Sequence, residues 1–120
     1  VLVIEDVQAI AELFYQILTR KFHCEVDRVP NCEEALQKLG SSAYDLILLD
    51  VRIPGMSGKQ FYRMIREKDD ALARKVVFTT GDVANAETLA FIEETGCLWL
   101  QKPFSLQQAD DLLTRYFQNS

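Results

Sequence analysis

Five short apolar runs, each separated from the next by a stretch with helical periodicity, constrain this chain more than any other feature. They are Val1–Ile4, Val26–Val29, Leu46–Leu49, Val76–Phe78 and Leu98–Leu100. The second is weak. Three of the five are almost continuously apolar, the pattern of parallel strands covered on both faces. Between the runs lie amphipathic stretches. Ile10, Leu13, Phe14, Ile17 and Leu18 follow the i, i+3, i+4, i+7, i+8 pattern of a helix with one buried face. A second helix is predicted to start at the N-cap Asn31, with Glu34 as its capping-box partner, and to stop near Gly40. A third runs from about Lys59 to Lys68, and a fourth from Ala86 to Thr95, closed by Gly96. A fifth starts at Ser105, with Gln108 as capping partner. This alternation predicts an α/β fold, a doubly wound (βα)5 flavodoxin-like sandwich of three layers. Its parallel sheet has the order 2-1-3-4-5.

The length of 120 residues suits one domain, and a hydrophobic fraction of 48% supports a full core. A net charge of −5 without a basic stripe argues against nucleic acid as a partner. No apolar run approaches the length of a membrane span, so no membrane contact is expected of this domain. The chain begins VLVI, without Met or a signal peptide, and is expected to be a piece of a longer protein. Cys24, Cys32 and Cys97, an odd number without CxxC spacing, read as reduced packing residues of a cytoplasmic protein. His23 reads as a surface residue near a helix end.

In open α/β sheets, sites form where the carboxyl ends of the strands meet near the switch in strand order. The residues there are polar and specific. Strand 1 ends in Glu5-Asp6, strand 3 in Asp50, strand 4 in Thr79-Thr80-Gly81, and strand 5 in Lys102-Pro103. Strands 1 and 3 are neighbours in the predicted order, so Glu5, Asp6 and Asp50 converge. Like charges about 4 Å apart repel by roughly 4 kcal/mol at an effective dielectric of 20. Compensation is expected from Lys102 and from a divalent cation, and an oxygen-only donor set suits Mg²⁺. A carboxylate, a hard cation, an ammonium and the Thr80 hydroxyl make a phosphoryl-transfer site, with the carboxylate as nucleophile. Thr80 is preferred over Thr79 because it precedes the small Gly81, which leaves room for a group to approach. Gly55 and Gly58 are read as loop flexibility beside the site, and the pairs Asp69-Asp70 and Asp110-Asp111 as solvated helix-terminal charges.

Glu5-Asp6, Asp50 within DVRIPGMSG, Thr80-Gly81 and Lys102-Pro103-Phe104 together closely resemble the response-regulator receiver domain of two-component signalling. The resemblance covers the whole chain. The spacings, 44 residues from Asp6 to Asp50, 30 to Thr80 and 22 to Lys102, are similar to the family's. The resemblance implies that Asp50 accepts a phosphoryl group from a phosphohistidine on a histidine kinase or histidine phosphotransfer domain. It implies Mg²⁺ held by Glu5, Asp6, Asp50 and the backbone carbonyl of Arg52. Thr80 and Lys102 would contact the phosphoryl oxygens, and a cis bond would join Lys102 to Pro103. Trp99 occupies the switch position. The domain is then a phosphoacceptor with self-phosphorylation and autodephosphorylation activity, not a conventional enzyme. FTTGDV, FIEETG and LQKPFS resemble receivers at the C-terminus of hybrid sensor histidine kinases. The family also implies a possible homodimer surface on the fourth helix, fifth strand and fifth helix.

Two positions depart from the common pattern. Trp99 is bulkier than the usual aromatic, and strand alternation puts it opposite Lys102, toward a surface patch. Arg52 stands where an apolar residue is frequent, and an Arg52–Asp82 pair across the pocket mouth is expected to limit water attack on the phosphate. Three other readings fit the residues less well. A degenerate receiver serving only as an interaction module conflicts with the complete acid, Thr and Lys set. A flavin-binding protein needs a phosphate cradle after strand 1, where EDVQAIAE begins with acids. An Asp-dependent phosphohydrolase needs a second Asp where Arg52 stands.

Overall fold

The computed structural model describes residues 1–81 and 84–118. Five parallel strands, β1 (Leu2–Ile4), β2 (Asp27–Val29), β3 (Ile47–Asp50), β4 (Val76–Thr80) and β5 (Trp99–Gln101), form one sheet in the order β2-β1-β3-β4-β5. The helices are α1 (Gln8–Arg20), α2 (Cys32–Ser41), α3 (Gly58–Lys68), α4 (Asp70–Ala73), α5 (Ala86–Thr95) and α6 (Leu106–Gln118). The predicted topology is the observed one.

Alternate residues of the same strands feed two core layers, which is why the apolar runs are continuous. Ile4, Leu49 and Phe78 pack on one face with Ala35 of α2, Phe61 of α3 and Phe91 of α5. Val3, Leu48 and Val77 pack on the other with Phe14 of α1 and Leu113 of α6. The first layer is anchored by Tyr62, Phe78 and Phe91, whose ring centroids lie 5.5–5.7 Å apart. Such contacts contribute about 1 kcal/mol each beyond the area they bury.

The helix ends follow local chemistry. Asn31 Oδ1 accepts the Glu34 N–H at 2.8 Å, as expected, but the Glu34 carboxylate takes the Asn31 side-chain amide instead of its backbone N–H. Ser105 and Gln108 form the reciprocal box, at 2.8 and 3.1 Å. Gly96 closes α5 in the left-handed region at φ 71°. Ser57 and Gln60 form a further capping box at the start of α3. The four-residue α4 was not anticipated, being too short to leave a periodic signature. Asp69 and Asp70 are exposed helix-terminal charges, as expected, and each also has a local partner. Asp69 caps α4 through the Leu72 N–H, and Asp70 pairs with Arg74. Asp110 likewise pairs with Lys21. His23 is exposed, at φ 56° beyond the end of α1.

Gly55 in the loop and Gly58 at the start of α3 serve close packing rather than the expected loop flexibility. A Cβ on Gly58 would stand 2.6 Å from the Asp50 carbonyl oxygen and 2.8 Å from Val51 Cα, so α3 begins against the backbone of β3. Gly55 adopts φ +85°, and its missing Cβ leaves space for the Glu33 carboxylate. Gly58→Ala is expected to destabilise the fold by about 2–3 kcal/mol, since rigid backbone must move. Urea unfolding checks this, with Gly40→Ala, which meets nothing within 4 Å, as the mild comparison.

Candidate functional site

The chain turns sharply after β1, and Glu5 and Asp6 sit in that turn. Glu5 is buried and its Oε2 accepts the Val7 N–H at 3.2 Å, while Asp6 is exposed. Asp50 is the last residue of β3, paired in register with Thr79 of β4. The aliphatic strand carries its carboxylate to the sheet rim, where it is still buried. One carboxylate oxygen from each of Glu5, Asp6 and Asp50 lies within 4.8 Å of the other two. The expected convergence of the three acids is therefore present.

Lys102 follows β5 and reaches back over the rim. Its backbone N–H donates to the Thr80 carbonyl at 2.8 Å, which sets the stem of the side chain. Its Nζ donates to Asp50 Oδ2 at 2.8 Å and lies 2.7 Å from Glu5 Oε1. Only Asp50 receives a well-aligned hydrogen bond from it. Glu5 Oε1 is an ion-pair neighbour of the ammonium, yet a buried oxygen without a hydrogen bond. Asp50 Oδ1 accepts the Arg52 N–H at 3.1 Å, so both Asp50 oxygens face fixed donors. The Lys102–Pro103 bond is cis.

The electrostatics follow from burial. Loss of water, with the Asp50 charge adding to it, pushes the Glu5 carboxyl up to about 7 against the opposing pull of Lys102. Burial alone would pull the Lys102 ammonium down, but the hydrogen bond to Asp50 and the ion pair with Glu5 outweigh it and hold the group above its ordinary value. Burial also pushes the Cys32 thiol up to about 12, and Cys24 and Cys97 rise for the same reason. All three cysteines are free, as expected, and none is an activated thiol.

Thr79 and Thr80 are both buried, and strand alternation turns them to opposite faces. Thr80 shares the face of Phe78 and, through the β4–β5 register, of Trp99. Trp99 is half-buried against the Phe78–Phe91 layer, while Leu100 enters the other layer. Trp99 and Lys102 thus stand on opposite sides, as alternation required. An added Cβ on Gly81 would meet only Lys102 Cβ at 3.8 Å, so the space beside Thr80 is open. Arg52 is exposed at the pocket mouth, and its expected partner Asp82 lies outside the described residues. Sequence reasoning missed Glu33, whose carboxylate accepts the Met56 N–H at 2.9 Å from across the loop after β3. The Gly at position 55 was the available signal.

Residues 1–114 match the family model described as the response regulator receiver domain. The chain belongs to that family. This receiver is 33% identical over 105 residues to the transcriptional regulatory protein ResD of Bacillus subtilis, covering 88% of the chain and 42% of ResD. It is 28% identical over 125 aligned positions to hybrid signal transduction histidine kinase L of Dictyostelium discoideum, covering 99% of the chain and 7% of the kinase. The receiver thus spans less than half the length of these curated relatives. Among solved structures, the receiver domain of NtrX from Brucella abortus superposes with a TM-score of 0.83 at 23% identity, over 99% of this chain and 98% of that one. The receiver domain of a Pseudomonas aeruginosa sensor histidine kinase, described with a magnesium ion in its active-site cleft, gives 0.79 at 24% identity, over 98% and 95%. Among the described residues, no helix of this receiver is long and apolar enough to cross a membrane.

The raised Glu5 carboxyl fixes a sign for stability in metal-free buffer. Between its ordinary 4.5 and about 7 the folded protein holds a proton there that the unfolded chain has lost. The contribution of this group is full below 4.5 and declines as pH rises to about 7. Glu5→Gln is expected to flatten that decline, measured as the pH dependence of urea unfolding with chelator present.

Proposed function

We propose that this receiver takes a phosphoryl group on Asp50 and uses it to switch partner interactions. The observation that carries the reading is the setting of Asp50. It is a strand-end carboxylate with 6% of its side chain exposed, 2.8 Å from an ammonium, with two more acids within 4.8 Å. The donor is a phosphohistidine on a histidine kinase or a histidine phosphotransfer domain. The Asp50 carboxylate attacks phosphorus as the P–N bond breaks. The bonding pair stays on the imidazole nitrogen, and the new bond is an acyl phosphate O–P bond.

Mg²⁺ fits the donor set. All candidate ligands are oxygens, and Glu5 Oε1 is a buried acceptor without a hydrogen bond. Glu5, Asp6, Asp50 and the Arg52 backbone carbonyl would hold the ion, which supplies charge neutralisation at the phosphoryl oxygens. Lys102 provides a second positive centre at the same oxygens, and the Thr80 hydroxyl a donor. Phosphorylation adds about −1.5 to −2 charges at the rim. Drawing Thr80 and Lys102 toward them biases β4, α5 and β5, with Trp99 on the Thr80 face as the readout. The α5–β5–α6 face is the proposed homodimer surface. A cytoplasmic location, and a place within a hybrid sensor histidine kinase, suit this chemistry.

The test is incubation with acetyl phosphate and Mg²⁺, followed by intact mass measurement. A gain of one phosphoryl group is expected for the native protein and none for Asp50→Asn. No gain in the native protein, where a standard receiver is labelled in parallel, supports instead the reading as an interaction module without phosphorylation.

A further inference from the structure

The loop between β3 and α3, residues 51–57, has well-defined anchors at its two ends. The Val51 N–H donates to the Thr79 carbonyl at 3.0 Å, and the Arg52 N–H donates to Asp50 Oδ1 at 3.1 Å. At the far end the Gly58 N–H returns to the Val51 carbonyl at 3.1 Å, and Ser57 enters its capping box with Gln60. Ile53 is buried in between. The hydrogen bonds among these contacts come from the loop itself or from β3, α3 and β4.

The tip is held from elsewhere. Glu33, in the first turn of α2, accepts the Met56 N–H on Oε1 at 2.9 Å, across 23 residues of chain. Its other oxygen, Oε2, stands 2.9 Å from where a Gly55 Cβ would be. The left-handed Gly55, at φ +85°, is what lets the backbone pass so close beneath the carboxylate. Glu33 is itself well anchored. Its neighbour Cys32 is fully buried, and its neighbour Glu34 is bonded to the N-cap Asn31. A carboxylate acceptor on a fixed helical turn therefore adds a polar hold at the tip of a loop whose middle is packed by Ile53 and whose ends are bonded to neighbouring backbone.

We propose that Glu33 is a positioning residue for the metal site. It latches the tip of the 51–57 loop onto α2 and so sets the direction of the Arg52 carbonyl. This rests on the reading above, in which that carbonyl is a ligand. Mg²⁺ tolerates little departure from octahedral geometry, so a carbonyl turned away by a relaxed loop is a poorer ligand. The Arg52–Ile53 peptide lies between the Asp50 anchor and the Glu33 latch, and loss of either widens its range. Glu33 touches neither the ion nor the phosphoryl group, and acts through the backbone alone.

The test compares the native chain with Glu33→Ala and Glu33→Gln. Mg²⁺ affinity is read by calorimetric titration, Met56 amide exchange by NMR, and metal-free stability by urea unfolding. Glu33→Ala is expected to weaken Mg²⁺ binding about three- to tenfold, the loss of one charge-assisted hydrogen bond. Its Met56 amide exchanges at least about tenfold faster once the acceptor is gone. Glu33→Gln keeps an oxygen acceptor without the charge, and is expected to stay within about twofold of native on both readouts. Native Mg²⁺ affinity in Glu33→Ala overturns the proposal. So does an equal loss in Glu33→Gln, which would mean that charge near the ion, not the hydrogen bond, is responsible. Loss of metal-free stability in step with affinity would make Glu33 a general structural contact. If the native chain binds no Mg²⁺, the functional reading above falls with this one, and protected Met56 exchange in that same sample identifies the latch as purely structural.

Discussion

One ammonium holds the functional end of this molecule together. Lys102 Nζ lies 2.8 Å from Asp50 and 2.7 Å from Glu5, and both carboxylates are buried. Burying a carboxylate without a partner costs several kcal/mol, and the cost is met only by good geometry. That geometry depends on two separate pieces of backbone. The Lys102 N–H bonded to the Thr80 carbonyl fixes where the ammonium starts, and the β1–β3 register fixes where the acids stand. The neutralisation is incomplete. Three acids face one cation, Glu5 Oε1 has no hydrogen bond, and the Glu5 carboxyl is pushed up to about 7. The site is therefore stable enough to fold and still short of positive charge.

Close backbone approach adds to apolar packing around this centre. Gly58 lets α3 begin against the Asp50 carbonyl, and Gly55 lets the loop tip pass beneath Glu33. The Ser57–Gln60 box then fixes the direction of α3. These contacts surround the loop that carries Arg52. Beyond the sheet, Trp99 rests half-buried on the Phe78–Phe91 layer, on the face that Thr80 shares. A change at Thr80 thus has a short path to a large aromatic side chain, without passing through the opposite layer.

Much of this was legible in the chain itself. Continuous apolar runs meant strands covered on both sides. Asn31, Ser105 and Gly96 marked helix ends through bonds made within a few residues. Glu5, Asp6, Asp50, Thr80 and Lys102 could be grouped because a parallel sheet brings the carboxyl ends of its strands to one edge. These conclusions depend on local periodicity, local capping and a small set of permitted topologies, and all three are written into consecutive residues. Other features depended on distances between segments far apart in sequence. The short α4, the two crowded glycines, the Glu33 latch and the unbonded Glu5 oxygen belong here. No pattern of residue types states that a Cβ at position 58 would stand 2.6 Å from the Asp50 carbonyl oxygen. Nor does it state that the Glu5 oxygen nearest the ammonium forms an ion pair without an aligned hydrogen bond. The sequence by itself determined the fold and which strand ends meet at one edge of the sheet. Only the tertiary structure decided the fit of the site, because close contact and burial are set by the packing of the whole chain.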